Sequence, residues 1–258
     1  MDYLVFRLYG AMASWGDIAV GSSRHTSNHP SKSAIIGLIG AALGIKRDDE
    51  NIQKQLNTAY NIAIKQFSNG TLLNDYHTTQ APDSVGKFQY RTRRDELVIG
   101  KDRLGTILSS REYLTDSVAL IAIKALDNAP FSLQDIKEKL LKPAFHLYLG
   151  RKSCPLSIPL SPQIINTEAG FKQGLDTYQW LNVLPIKKKS RDDYWFSLKG
   201  FKQYYWEGEN GDFAMDNSDF NPEKVQVLTR YDQPRSRQRW QFSSRLENFY
   251  QQDNKELN

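Results

Sequence analysis

Arg24-His-Thr-Ser-Asn-His-Pro-Ser-Lys-Ser-Ala-Ile-Ile-Gly-Leu-Ile-Gly-Ala-Ala-Leu-Gly-Ile45 decides how this 258-residue chain is read. A polar, basic loop runs into an apolar, glycine-studded segment, and the spacing predicts a helix over 31–43. Pro30 and Ser31 supply its start. Proline does not need the backbone donor it lacks, and a serine oxygen can accept from an N–H that has no partner in the first turn. Ile35, Ile36, Leu38, Ile39 and Leu43 give the helix an apolar side for a core. Gly37, Gly40, Ala41 and Gly44 recur at three- and four-residue spacing, so another face carries almost no side chains and a second backbone can approach it. The open N–H groups of the first turn, with Arg24, His25, Lys32 and Ser33 around them, form an anion pocket suited to phosphate. A well-capped core helix whose glycines pack on a sheet is the competing reading, and this segment alone leaves both open.

Working outward, Tyr3–Leu8 alternates like a strand and Asp48–Asn57 reads as a short helix. Asn61–Phe67 alternates and ends at Asn69-Gly70, a hairpin signal, with Leu72–Thr78 as the expected return strand. Ser117–Leu126 is a β-branched and aliphatic run suited to a buried central strand. Ser132 and Asp135 form a partial capping box for a helix over 132–141, which Pro143 ends. Helices crossing between strands of a mainly antiparallel sheet fit an α+β, ferredoxin-like body.

Charge is clustered. Between Ala81-Pro-Asp-Ser-Val-Gly86 and Gly105 lie Lys87, Arg91, Arg93, Arg94, Lys101 and Arg103 against Asp95, Glu96 and Asp102. In an extended strand Gln89, Arg91 and Arg93 share one face, while Phe88, Tyr90, Thr92 and Arg94 share the other. Guanidinium groups interleaved with aromatic rings suit single-stranded RNA; a solvated surface loop is the alternative. Arg235, Arg237 and Arg239 alternate, so one strand would project all three to one side, with Trp240 and Phe242 on the buried side. A third cluster is His146, Tyr148, Arg151 and Lys152, where Gly150 allows a bend that brings backbone and cations to one phosphate. Lys187-Lys-Lys-Ser-Arg191 and Glu207-Gly-Glu-Asn-Gly-Asp212 read as exposed loops.

A net charge of +5 is only mildly basic, so distribution rather than total carries the argument. No run reaches the roughly 18 apolar residues of a membrane span. The N-terminus lacks a secretory pattern, so a cytoplasmic location is expected. The single cysteine, Cys154, excludes an internal disulfide and a thiolate zinc site. Neither a metal-ligand motif nor a nucleotide-binding glycine loop is present, and no cofactor is expected. Metal-independent RNA cleavage needs a base and an acid at one phosphate. Of the four histidines, His25, His29, His77 and His146, no two are placed together by sequence, and Tyr76 and His77 point to opposite faces of a strand.

The blocks Leu8-Tyr-Gly-Ala-Met-Ala-Ser-Trp-Gly16, the helix above with Gly44-Ile-Lys-Arg-Asp-Asp49, Asp75-Tyr-His-Thr-Thr79, Arg111-Glu-Tyr-Leu-Thr-Asp-Ser-Val-Ala-Leu120, Leu149-Gly-Arg-Lys-Ser-Cys-Pro-Leu156 and Arg235-Ser-Arg-Gln-Arg-Trp-Gln-Phe242 resemble, in order, the CasD family. That is the RAMP-superfamily subunit of type I-E CRISPR Cascade. Residues about 185–224 and the tail after Arg245 look longer than the family pattern and inherit nothing. The resemblance implies an RRM-related RAMP fold: a body over 1–80 and 111–250, a β-hairpin thumb over 81–110, and a disordered tail over 251–258. It further implies a non-catalytic subunit that caps the 5′ handle of the CRISPR RNA in antiviral defence. Its neighbours would be a CasC-type backbone subunit and the large PAM-reading subunit, with target DNA met through the assembled complex and no membrane. The expected RNA-binding residues are Arg24, His25, Lys32, Ser33, Lys87, Arg91, Arg93, Arg94, Arg111, Tyr148, Arg151, Lys152, Arg235, Arg237 and Arg239. The alternative is a metal-independent endoribonuclease that processes repeat RNA.

Overall fold

The computed structural model describes residues 1–16, 19, 21–83, 89–98, 100–181, 202–215, 220–236, 239 and 241–252. The chain opens with β1 (Asp2–Tyr9) and four two-residue strands, β2 (Met12–Ala13), β3 (Trp15–Gly16), β4 (Ser23–Arg24) and β5 (Thr26–Ser27). Helices α1 (Lys32–Leu43) and α2 (Glu50–Thr58) follow, then β6 (Tyr60–Ser68) and β7 (Thr71–Pro82). After α3 (Arg93–Leu97) come β8 (Leu104–Thr115), β9 (Val118–Ala125), α4 (Leu133–Leu141), β10 (Gln163–Asn166) and α5 (Gly170–Asp176). The last strands are β11 (Lys202–Trp206), β12 (Gln226–Ser236) and β13 (Gln241–Gln252).

Seven strands form an antiparallel sheet in the order β10-β1-β9-β6-β11-β13-β12. Its first four strands, with α1 and α4 as crossovers, run β-α-β-β-α-β, the element order of a ferredoxin-like unit. Both faces are covered. Leu4, Phe6 and Leu8 of β1 join α1, α2 and α4 in one core, while Tyr3 and Val5 join Phe171, Leu175, Trp206 and Phe213 in the other. This is why β1 reads as a near-continuous apolar run. Its one buried charge, Arg7, is satisfied: Nε and Nη1 donate to the carbonyls of Pro159 and Leu181 at 2.9 Å.

Local signals set the helix ends. Ser31 accepts from the Ala34 N–H to cap α1, and Gly44 closes it in the left-handed region at φ 80°. Ser132 and Asp135 complete a capping box on α4.

Three expectations are corrected. Leu72–Thr78 lies in β7 but does not return along β6; β7 pairs with β8, from Thr71–Thr115 out to Pro82–Leu104. The β6–β9 ladder ends at Ser68–Val118, so one ribbon continues outward as a hairpin of two twelve-residue strands, longer than the 81–110 span expected for it. Gly70, at φ 71°, bends that ribbon instead of closing it, and a Cβ there would sit 2.1 Å from the Thr115 carbonyl. Residues 202–206 supply a central strand, because Tyr204 and Trp206 face one core and Tyr205 the other. Gln251 and Gln252, expected in a disordered tail, pair with Gln203 and Lys202; the tail from 253 onward, like Lys187–Arg191, lies outside the described residues.

Candidate nucleic-acid interface

The start of α1 is built around an anion, but that anion belongs to the protein. The Lys32 N–H donates to Asp232 Oδ2 at 2.8 Å. Asp232 in turn accepts from Arg245, Nε to Oδ1 at 2.6 Å and Nη2 to Oδ2 at 2.9 Å. The Lys32 ammonium is buried against Glu207 Oε2 at 2.6 Å. Arg245 also donates to Glu247 at 2.7 Å, and Glu247 accepts from His29 Nε2 at 2.9 Å. The His29 ring stacks on Tyr205 with centroids 3.7 Å apart. Every charge in the cluster therefore has an opposite partner, as burial requires.

The electrostatic consequences are directional. Burial holds the His29 imidazole below its ordinary value despite Glu247. Burial alone would raise Glu247, but the bonds from His29 and Arg245 outweigh it and hold the carboxyl at about 2. Burial raises Glu207 against the pull of Lys32 and Arg245. Lys32, read as a phosphate ligand, is thus a structural cation. Glu207 and Asp212, read as parts of an exposed loop, are ion-pair partners, Asp212 to Lys124 at 3.1 Å.

Beyond the cluster, a groove of about 1440 Å³ runs along the small-residue face of α1. Ala34, Gly37, Gly40 and Ala41 form its floor, so the face that a second backbone could have approached opens onto this space. Arg24, Lys46, Arg47, Arg151, Lys152 and Arg230 stand in the walls, with the aromatic side chains of Phe145, Tyr148, Tyr231 and Phe242. Asp232 is the one carboxylate among the described lining residues, and Arg245 neutralises it. A positive groove with exposed rings, Phe145 46% and Tyr231 58% accessible, is the combination that tracks a phosphate backbone and stacks bases.

Gly150 builds one wall. At φ 84° it turns the chain so tightly that a Cβ would sit 1.9 Å from the Ser14 carbonyl. The turn is stitched by the Tyr148–Pro155 bridge and the Leu149 N–H to Cys154 carbonyl bond at 2.7 Å. Arg151 is thereby held 5.1 Å over the Tyr113 ring. Beside it, with the Arg24 carbonyl 3.5 Å from Arg151 Nη2, His25 Nδ1 lies 2.9 Å from Glu112 Oε1, and the Thr26 N–H donates to Oε2 of the same carboxylate at 3.1 Å. These bonds hold Glu112 below the usual carboxylate range.

The structure therefore brings Arg24, His25, Ser33, Tyr148, Arg151 and Lys152 into one groove. Arg111 pairs with Arg24 where β8 runs parallel to β4, just beside it. Arg91, Arg93 and Arg94 lie at the distant hairpin tip and not on one extended strand: Arg93 and Arg94 open a short capped helix, and Arg91 precedes its cap. Thr92 and Asp95 form its capping box, and Arg93 pairs with Glu96 at 2.6 Å. Arg235 is exposed near the end of β12, and Arg239 sits in the turn that leads to β13, so the three arginines do not share one strand. Pro234 and Ser236 flank a register shift that prepares that turn. Lys87 and Arg237 lie outside the described residues. Sequence reasoning missed Arg230, Tyr231 and Phe145, which reach the groove from far along the chain. Lys46 and Arg47 directly follow the glycine helix, and that adjacency was a usable signal.

Residues 3–246 match the family described as CRISPR-associated protein (Cas_Cas5). Over 167 residues the chain is 33% identical to the CRISPR system Cascade subunit CasD of Escherichia coli (strain K12), spanning 62% of this chain and 69% of that protein. A chain of a solved CRISPR RNA-guided surveillance complex superposes with a TM-score of 0.63 at 20% identity, covering 97% of this chain and 90% of that one. A crystal structure of a Cas protein gives 0.59 at 22% identity, covering 97% and 94%. These two likenesses carry the fold.

Proposed function

The chain belongs to the CRISPR-associated protein (Cas_Cas5) family, and from that premise we propose that it is a non-catalytic, RNA-binding subunit of a Cascade effector. The groove along α1 would hold the 5′ handle of the CRISPR RNA. The observation that carries this reading is the groove itself: six cations and four aromatic rings around a floor of glycine and alanine, with the single carboxylate among the described lining residues already neutralised. Phosphates fix the register of a bound strand, and rings and backbone read its shape. Specificity toward target DNA would then rest on guide pairing in the assembled complex.

The long hairpin supports a role between subunits. Leu72, Tyr76 and Leu108 are exposed on one of its faces, and Leu73 and Ile107 on the other. Such apolar arms suit protein neighbours, a CasC-type backbone subunit and the large PAM-reading subunit, while the basic tip suits RNA.

One observation favours endonuclease activity as a second reading: His25 and His146 line the same groove beside Tyr148 and Lys152. His77 takes no part, since it pairs with Asp75 on β7. Incubating the purified chain with its own repeat RNA, with and without EDTA, separates the two. Saturable binding with the RNA left intact is expected. Site-specific cleavage that His25→Ala or His146→Ala abolishes would make the nuclease reading correct.

A further inference from the structure

Glu112 is not in the groove, yet its carboxylate organises the wall. A carboxylate accepts only, so the 2.9 Å contact from His25 Nδ1 fixes the imidazole with its proton on Nδ1. The Thr26 N–H occupies the second oxygen, which locks the short segment between β4 and β5 to the root of the β7–β8 hairpin. The His25 side chain is 69% exposed in the groove wall, and its Nε2 makes no hydrogen bond among the described residues. In the neutral imidazole with its proton on Nδ1, Nε2 presents a lone pair.

We propose that Glu112 is a positioning residue that holds His25 as a fixed acceptor for a hydrogen-bond donor on the bound RNA, either a ribose 2′-hydroxyl or an exocyclic base amino group. This rests on the groove being the RNA site, and it adds what the surrounding cations cannot supply. Arginine and lysine carry donors only and therefore address phosphates, which RNA and DNA share. An aimed acceptor meets a group that distinguishes one nucleotide or one sugar from another. Because Glu112 stands at the hairpin root, the same contact makes recognition in the groove depend on how the hairpin is seated.

The test uses the full-length chain and a labelled single-stranded RNA from its own repeat, with affinities measured at one salt concentration. His25→Ala and Glu112→Ala should each lower affinity about 3–10-fold, as the removal of one hydrogen bond does. The double variant should bind no worse than His25→Ala, because Glu112 acts through His25. Two sets of altered RNAs identify the donor: single 2′-deoxy substitutions, and single base changes that remove an amino group. In the wild-type protein one position in one set should cost affinity, and that penalty should vanish in His25→Ala. Losses that multiply in the double variant, or a substitution profile identical in wild type and His25→Ala, would overturn the proposal while RNA binding stands. A penalty found only when one phosphate is replaced by a neutral methylphosphonate would overturn it too. If the wild-type chain binds no RNA, both the proposal and the groove reading fall.

Discussion

Lys32 and Arg24 stand eight residues apart in the same basic stretch and end in opposite environments. Lys32 is 6% exposed with its ammonium on Glu207, inside a closed set of buried ion pairs. Arg24 is exposed at the groove, and its guanidinium donates to the Ala19 carbonyl at 2.7 Å, with no ion pair among the described residues. The head of α1 uses its charge for cohesion, and Arg24 in the groove beside it keeps charge for a ligand, while Arg230 between the two regions lies 3.8 Å from Glu247. A cation's use is settled by whether the fold brings a carboxylate to it, and for Lys32 that carboxylate is 175 positions away.

Removing a cation from each region should separate them most sharply. Arg245→Ala leaves Asp232 and Glu247 buried without their main partner, and should cost about 3–5 kcal/mol in chemical denaturation. A loss below about 1 kcal/mol would show that water reaches the cluster and that it is no different from the groove.

Acid should act on the cluster next. Glu247 is held at about 2 when folded against 4.5 unfolded, so its stabilisation is complete above pH 4.5 and is lost as pH falls toward 2. The shift corresponds to about 3 kcal/mol. His29 works in the same direction, because the unfolded imidazole takes its proton near 6.5, before the folded one does. Glu207 opposes both, since its raised folded value favours protonation in the native state. Stability measured from pH 7 to 3 should therefore decline, and Glu247→Gln should flatten the acid limb.

In the groove, Arg24→Ala with Lys152→Ala should leave the melting temperature within a degree or two. The pair should still weaken RNA binding by about 1.5–3 kcal/mol for each charge-assisted hydrogen bond removed. The hairpin tip should give the smallest effect. Replacing Arg91, Arg93 and Arg94 together should reduce the salt slope of RNA binding by roughly 0.7 for each phosphate they hold, without regard to sequence. An affinity loss at constant slope would assign those arginines to a protein neighbour.

Much of the body was legible because its signals are local. Ser31 and Ser132 cap helices where they were expected, and the Ser117–Leu126 run is the buried strand β9. Gly150 bends the chain toward a basic wall as its position suggested. The hairpin was misread because an Asn-Gly pair signals a glycine at positive φ, which serves a bend in a continuing ribbon as well as a closing turn. Arg235 to Arg239 failed for a related reason: alternation cannot reveal that the chain turns back within it. Lys32 was misassigned because the groups that claim it, Asp232 and Glu207, lie far along the chain where no spacing rule connects them to α1.

The distances along the chain within that cluster also set an order of events during synthesis. Bonds to α1 and the loop before it span 175, 200 and 218 positions, from Lys32 to Glu207 and Asp232 and from His29 to Glu247. When α1 leaves the ribosome, none of those carboxylates has been made. A nascent chain can assemble β1, α1, β6, β9 and α4 early, but pairings of such high sequence separation form late. Until β11 and β12 arrive with Glu207 and Asp232, the start of α1 keeps its open N–H groups and an unmatched lysine. The final strands close these groups from within, so the head of α1 is the last part of the first half of the chain to reach its finished surroundings.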